Sequence, residues 1–453
     1  MDTQAQTQIQ TRPLGGTEST FARAVPGGTG ITVVAALLTN PPSPSSLENA
    51  LLILQTSHPI LRASLDISSS TLTIPSSPQP LELETHDPAS TSDLLAAPVA
   101  RAPDAPPPPL HLLLERELSR NPWASPAPAR AMHATLYALP ARSEAVLALR
   151  FHASVCDRKS AVTAMREVLH ALRGVGVGGG GGAMSPVMED MIPSESAWKP
   201  FWARGMDLVG YSVNAFRSAN LAFEDARFDD RSSEVVRVSF GVEESERIIN
   251  ACQVKGIKLC GALVAAALMA AHASKNLEQD QPETYSVVAL IDCRKILRPP
   301  LDDHAVGFYH SGILNTHTIR AGEDLWEVAH RCYKTFSDSK ASNKHFTDVG
   351  DLNFLMCKAI DNPALTPSSS MRTAFLSVFE DPLIIDDGEE EEFGVADCIG
   401  CSSVHGVGPS LGVFDTVRDG RLECVFVYPV PLHSRRQVEG LVEDMKMMLI
   451  EAT

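Results

Sequence analysis

Residues 151–161 read Phe-His-Ala-Ser-Val-Cys-Asp-Arg-Lys-Ser-Ala, which puts an imidazole, a thiol, a carboxylate and a guanidinium within seven positions. His152 is the side chain of this run suited to general-base work near neutral pH. Ala153 beside it offers no proton acceptor. Successive residues of an extended segment point to opposite sides, so His152 reaches a reacting group only if that group lies on its own side; otherwise it serves as a structural hydrogen-bonding group. Arg158 brings five N–H donors, able to bind a substrate carbonyl or carboxylate or to turn outward to solvent. Further polar candidates lie far along the chain: His304, Tyr309 and His310, then Ser402, Ser403 and His405. The sequence has no Gly-x-Ser-x-Gly elbow, His-Glu-x-x-His helix or Gly-x-Gly-x-x-Gly fingerprint.

The elements that must position these groups follow from hydrophobic period and breakers. Ala131–Tyr137 and Ala145–Phe151 read as strands, and Lys159–Leu172 as a helix with Val162, Met165, Val168, Leu169 and Leu172 on one face. The polar run therefore occupies a strand-to-helix turn, a usual place for chemistry. Upstream, Ile31–Leu38 reads as a buried strand, Leu47–Thr56 as a helix capped by Ser45 or Ser46, and Ser64–Ile67 and Leu72–Ile74 as short strands. Residues 75–109 read as loop with one short helix. Gly174–Gly182 holds seven glycines in nine positions; with no Lys-Ser/Thr after it, it is a flexible linker rather than a phosphate loop. The segment with Trp198, Trp202 and Tyr211 suits one or two helices. Strands follow at Val235–Phe240, Tyr285–Ile291, Gly312–His317, Thr373–Val378, Ser410–Thr416 and Leu422–Tyr428. Helices follow at Glu243–Lys255, Leu259–Ala273, Ala321–Ser337 and Arg435–Ala452. Strands and helices alternate in two comparable halves, residues 1–225 and 226–453, an α/β or α+β chain.

Composition narrows the partners. The 453 residues are 44% hydrophobic and 21% charged, with 38 basic against 55 acidic residues and a net charge of −17. That balance argues against nucleic acid or an anionic membrane. The acidic run Asp386–Glu392 reads as a solvated loop. Nine scattered cysteines do not make a secreted disulfide framework. Cys398-x-x-Cys401 has metal spacing but no second pair nearby, so no metal is expected. The polar N-terminus lacks a signal pattern, and Leu259–Ala273, about 15 apolar residues, is short for a membrane span. The expectation is a cytoplasmic monomer without membrane insertion.

Four segments together resemble the chloramphenicol-acetyltransferase-like superfamily, which includes peptide-synthetase condensation domains, with the fungal specialised-metabolism O-acyltransferases most similar. These are Leu47–Ala63 with His58-Pro59-Ile60-Leu61-Arg62; the run 151–158; Asp292-Cys293-Arg294 through Gly307-Phe308-Tyr309; and Cys401-Ser402-Ser403 through Gly408-Pro409-Ser410 to Asp415-Thr416. The resemblance implies two subdomains in a V with a tunnel between them, and an active-site motif His-His-x-x-x-Asp-Gly halfway along it. In that motif the second His is the base. Here it is Ala153, the Gly is Arg158, and His152 and Asp157 remain. The resemblance further implies that Asp157 is structural, paired with a cation such as Arg294.

Three functions are compatible with a framework lacking its base. The first is a chamber that folds a polyketide- or terpenoid-like metabolite for a donor-free cyclisation, pericyclic step or isomerisation. It would need no cofactor, with His152, Arg158 and Tyr309 as catalytic candidates and His310, Ser402 and Ser403 as substrate contacts. The second is a CoA-dependent O-acyltransferase, taking acetyl-CoA or another acyl-CoA, with a substitute base or inactivated at residue 153. The third is a non-catalytic binder.

Overall fold

The computed structural model describes residues 9–453 except 79, 102–105, 126, 141–142, 176–183, 228–229, 276, 278–280 and 386–393. Most of the glycine run and the acidic run fall outside the described residues. The strands are β1 (Gln10–Pro13), β2 (Thr29–Leu38), β3 (Ser64–Asp66), β4 (Thr71–Ile74), β5 (Leu83–His86), β6 (Ala129–Arg130), β7 (Met132–Ala138) and β8 (Ala145–His152), then β9 (Ser232–Ser239), β10 (Glu283–Asp292), β11 (His310–Ile319), β12 (Arg372–Phe379), β13 (Leu383–Ile385), β14 (Val395–Val404), β15 (Gly408–Arg418) and β16 (Arg421–Val430). The helices are α1 (Gly16–Ala24), α2 (Pro44–Ser57), α3 (Pro88–Arg101), α4 (Pro109–Ser119), α5 (Arg158–Leu172), α6 (Ser194–Ala197) and α7 (Phe201–Arg217), then α8 (Val242–Val254), α9 (Leu259–Ala273), α10 (Leu325–Ala341), α11 (Lys344–Thr347), α12 (Val349–Asp361) and α13 (Arg435–Glu451).

Each half is built on one large sheet. The first has strand order β14-β2-β8-β7-β5, the second β11-β10-β12-β15-β16-β9 with β13 beside β15. The inner strand β2 is largely apolar and covered on both faces: Val34, Ala36 and Leu38 join the core under α2 and α5, while Ile31, Val33 and Ala35 join a second core with α4. That second core also takes Val235, Phe414, Val425 and Val427 from the other sheet, so it binds the halves together. The third core wraps α9 (Leu259–Ala273), apolar on every side and therefore buried on every side.

Two differences from the sequence reading matter. The helix after Pro41 is capped by Ser43, whose Oγ accepts from the Ser46 amide, because Pro44 fits the first helical turn. The strand β14 was not foreseen: Gly400, Ser402 and Asp397 lower its β propensity, yet it crosses from the second half to pair antiparallel with β2, Gly400 opposite Val34 and Ser402 opposite Thr32.

Candidate functional site

The run 151–161 lies where β8, paired antiparallel with β2 so that Ile31 faces His152, gives way to a single 3₁₀ turn, Ala153–Val155, before α5. Asp157 caps α5, accepting from the Ser160 amide at 2.8 Å. A cavity of about 600 Å³ opens beside this turn, between the halves. Ala153 and Arg158 line it, with Phe308, His310, Phe379 and Phe414 around them and α7 and α12 forming the far wall.

His152 is behind this wall, not in it. Its ring is fully buried, Nδ1 accepts from the Ser154 amide at 3.2 Å, and Trp123 stands edge-on with centroids 5.2 Å apart. Burial pushes its pKa down to about 3, so the ring is neutral. The residue that does face the cavity at this turn is Ala153, a methyl group. Gly30 lets it sit there: at φ +87°, a β-carbon on residue 30 would lie 2.9 Å from the Ala153 Cβ and 2.9 Å from Phe21.

Asp157 and Arg294 form a buried pair, with Nη2 of Arg294 donating to both carboxylate oxygens at 2.9 and 3.0 Å. The Tyr309 amide donates to the same carboxylate at 2.9 Å. Arg294 also reaches Ser160 Oγ at 2.8 Å, Asp292 at 2.9 Å and the Ala305 carbonyl at 3.2 Å. Burial opposes the Asp157 charge, but Arg294 outweighs it and holds the carboxyl at about 2. The assembly stitches the start of α5 to residues 292–309.

Arg158 points inward. Its Nε donates to the Gly400 carbonyl at 3.0 Å, and Nη2 to the Asp415 carbonyl at 2.9 Å and Thr416 Oγ1 at 2.8 Å. The guanidinium lies over the Phe379 and Phe414 rings, 5.3 and 5.4 Å from their centroids. Its Nη1 is buried without a partner. The acid that acts on it is Asp415, fully buried with both carboxylate oxygens unpartnered. Burial raises the Asp415 pKa to about 6, against the pull of Arg158. A second cavity residue, Arg372, is also buried with carbonyls as its partners: Val404 at 2.8 Å, Pro409 at 2.6 Å, Ser370 at 3.2 Å and Gly406.

The other candidates divide. His310, Ser402 and Ser403 line the cavity. The His310 ring packs on Phe308 at 4.2 Å and edge-on to Phe379 at 5.9 Å; its Nδ1 is buried without a partner, and burial lowers its pKa against the pull of Asp157. Ser402 bonds Thr32 Oγ1 at 2.9 Å and Ser403 Oγ accepts from the Ile31 amide at 3.0 Å. Tyr309, a catalytic candidate by sequence, is not on the wall. Alternation along the chain sends it to the opposite side from His310, where its hydroxyl donates to the Pro186 carbonyl at 3.0 Å among Met188, Met191 and Cys293. His304 is on the surface, 3.7 Å from Glu167, and His405 is turned onto Ser233 at 3.0 Å. Neither lines the cavity. Sequence reasoning missed the aromatic wall of Phe379 and Phe414, although both stand in segments read as strands or one residue beyond, and it missed Arg372. Cys398 and Cys401, three apart on β14, point to opposite faces.

The structure superposes on trichothecene 15-O-acetyltransferase TRI3 from Fusarium sporotrichioides with a TM-score of 0.68 at 14% identity, over 98% of this chain and 95% of that one. The chain has the chloramphenicol-acetyltransferase-like, condensation-domain fold. Polyketide synthase associated protein 5 from Mycobacterium tuberculosis gives 0.64 at 15% identity, covering 97% of both chains. The epimerization domain from the third module of tyrocidine synthetase B gives 0.61 at 12% identity, over 100% of this chain and 98% of that one. No family model matches the sequence, and no curated protein matches it either. Among the described residues no single helix is long and apolar enough to cross a membrane.

Proposed function

We propose that the chain is an enzyme of specialised metabolism that uses its chamber to fold an apolar, oxygenated metabolite of polyketide or terpenoid type for a donor-free cyclisation, pericyclic step or isomerisation. One observation carries the reading: the turn offers the cavity the Ala153 methyl, with His152 sealed behind it, while the Arg158 side chain lines the same wall beside Phe379 and Phe414. Holding a substrate in a reactive conformation lowers a barrier by several kcal/mol without a base. A fixed donor in a site with little water stabilises negative charge developing on a carbonyl oxygen. Arg158 is the polarising residue in this reading; His310, Ser402 and Ser403 are substrate contacts.

A second reading is favoured by His310. A half-buried imidazole on the wall, its pKa lowered by desolvation, is able to take a proton from an acceptor hydroxyl, which makes the chain a CoA-dependent O-acyltransferase with its base moved to β11. The test incubates the chain, Ala153→His and His310→Ala with hydroxylated metabolites and linear polyketide precursors, with and without acetyl-CoA, and follows mass by LC–MS. An isomeric product formed without acetyl-CoA supports the first reading. An acetylated product that His310→Ala abolishes supports the second. Acetylation by Ala153→His alone marks a lapsed acyltransferase.

A further inference from the structure

The helix α7 carries a broad apolar face that none of the described residues covers. Phe201, Trp202, Met206, Val209, Val213 and Phe216 are each at least 40% exposed, and Trp198 just before the helix is 76% exposed. At 3.6 residues per turn these six fall within an arc of about 140°. Such an arc is wider than the a/d stripe with which one helix packs on another. The polar residue inside it, Ser212, donates to the Leu208 carbonyl at 2.8 Å.

The orientation is fixed from the opposite side. Lys199 Nζ lies 2.7 Å from Asp207 of α7, and 2.7 and 2.6 Å from Asp348 and Asp351 at α12; the Tyr211 hydroxyl also donates to Asp348. The acid of α7 is therefore turned in. Among the described residues the exposed charges flanking the patch include Arg204, Arg217 and Lys358, the last 5.4 Å above the Phe354 ring, with Glu195, paired to Arg298, as an exposed acid before Trp198. In a chain of net charge −17 this rim is cationic. The patch is also continuous with the cavity: Phe216 and Phe354 are exposed, at 63% and 49%, and line it.

We propose that α7 lies on the surface of a zwitterionic phospholipid layer, so that the cavity takes a lipophilic ligand from the layer rather than from water. Bulky aromatics with a broad apolar face suit the boundary between headgroups and acyl chains, and the rim cations suit headgroup phosphates. A lipid layer needs no matching groove. Among the described residues no single helix is long and apolar enough to cross the layer, and the inference stands whichever reaction the chamber performs.

Flotation of the full chain with phosphatidylcholine vesicles tests it. The chain is expected to float, with a blue shift of tryptophan fluorescence, little changed by 0.5 M salt. The double variant Val209→Glu, Val213→Glu, neither residue lining the cavity, should weaken partitioning at least about tenfold with an unchanged melting temperature. Trp202→Ser with Met206→Ser gives the same readout should the first variant fold poorly. A chain that stays with the unbound fraction overturns the proposal. So does equal flotation of the variants, or a dimer in sedimentation that the variants dissolve, which would make a second copy the occupant.

Discussion

Replacing Arg158 with Met tests whether the guanidinium is a built part of the cavity wall. The change removes three hydrogen bonds from a charged donor, worth about 1.5–3 kcal/mol each. It returns the several kcal/mol that burying a cation costs. It also leaves Asp415 fully buried without the charge that compensates it. Arg158 bonds the Asp415 backbone carbonyl and not its carboxylate, so the net expected loss is that of the hydrogen bonds and of a nearby compensating charge, about 2–4 kcal/mol, read from urea unfolding at pH 7.5. Adding Asp415→Asn should restore at least half of it, because the stranded charge goes too. The pH dependence has a definite sign. The Asp415 carboxyl is raised from 3.8 to about 6, so its contribution is present below the unfolded value and lost as pH rises through the folded one. Removing Arg158 raises that pKa further, and the deficit of Arg158→Met must grow from pH 5 to pH 7.5. A loss under about 1 kcal/mol, or a double variant as unstable as the sum of the singles, refutes the reasoning.

Asp157→Asn should cost about 3 kcal/mol, because Arg294 loses its buried carboxylate and keeps only the more exposed Asp292 as a counter-charge, seen as a lower urea midpoint. Gly30→Ala should lose at least about 1 kcal/mol, because φ is +87° and the new methyl meets Ala153 and Phe21 at 2.9 Å; ligand binding in the cavity should weaken with it, measured by titration calorimetry. Acid should destabilise the fold through buried histidines. His152 is lowered to about 3, and His133, His405 and His433 to about 4, by burial. Their contribution is complete above pH 6.5 and lost as pH falls toward 4, so the urea midpoint should fall between pH 7.5 and pH 5.

What the sequence revealed tracks how strongly each segment obeys a local rule. Leu259–Ala273 has no polar break, and its predicted bounds match the observed helix. Ala145–Phe151 and the helix after it follow clean periods, so the strand-to-helix turn was legible, and with it the alanine where a base was expected. The strand β14 was hidden by Gly400 and its serines, since only pairing with β2 makes that segment a strand. The helix α12 (Val349–Asp361), with Gly350 near its start, was hidden in the same way and is held by α7 and Lys199. Arg158 illustrates the remaining limit: inward and outward orientations were equally compatible with the sequence. The carbonyls of Gly400 and Asp415 that decide between them come from strands more than 240 residues away.

The crossover of β14 also bears on how the chain is born. β2 ends at Leu38, and the strand that covers its free edge begins at Val395. At about 5–20 residues per second on a ribosome, roughly 20 to 70 s separate the two. For that interval the most apolar strand of the first sheet has one hydrogen-bonding edge open, a template for pairing with another nascent chain. Expression yield should therefore respond to translation speed and to chaperones that shield strand edges.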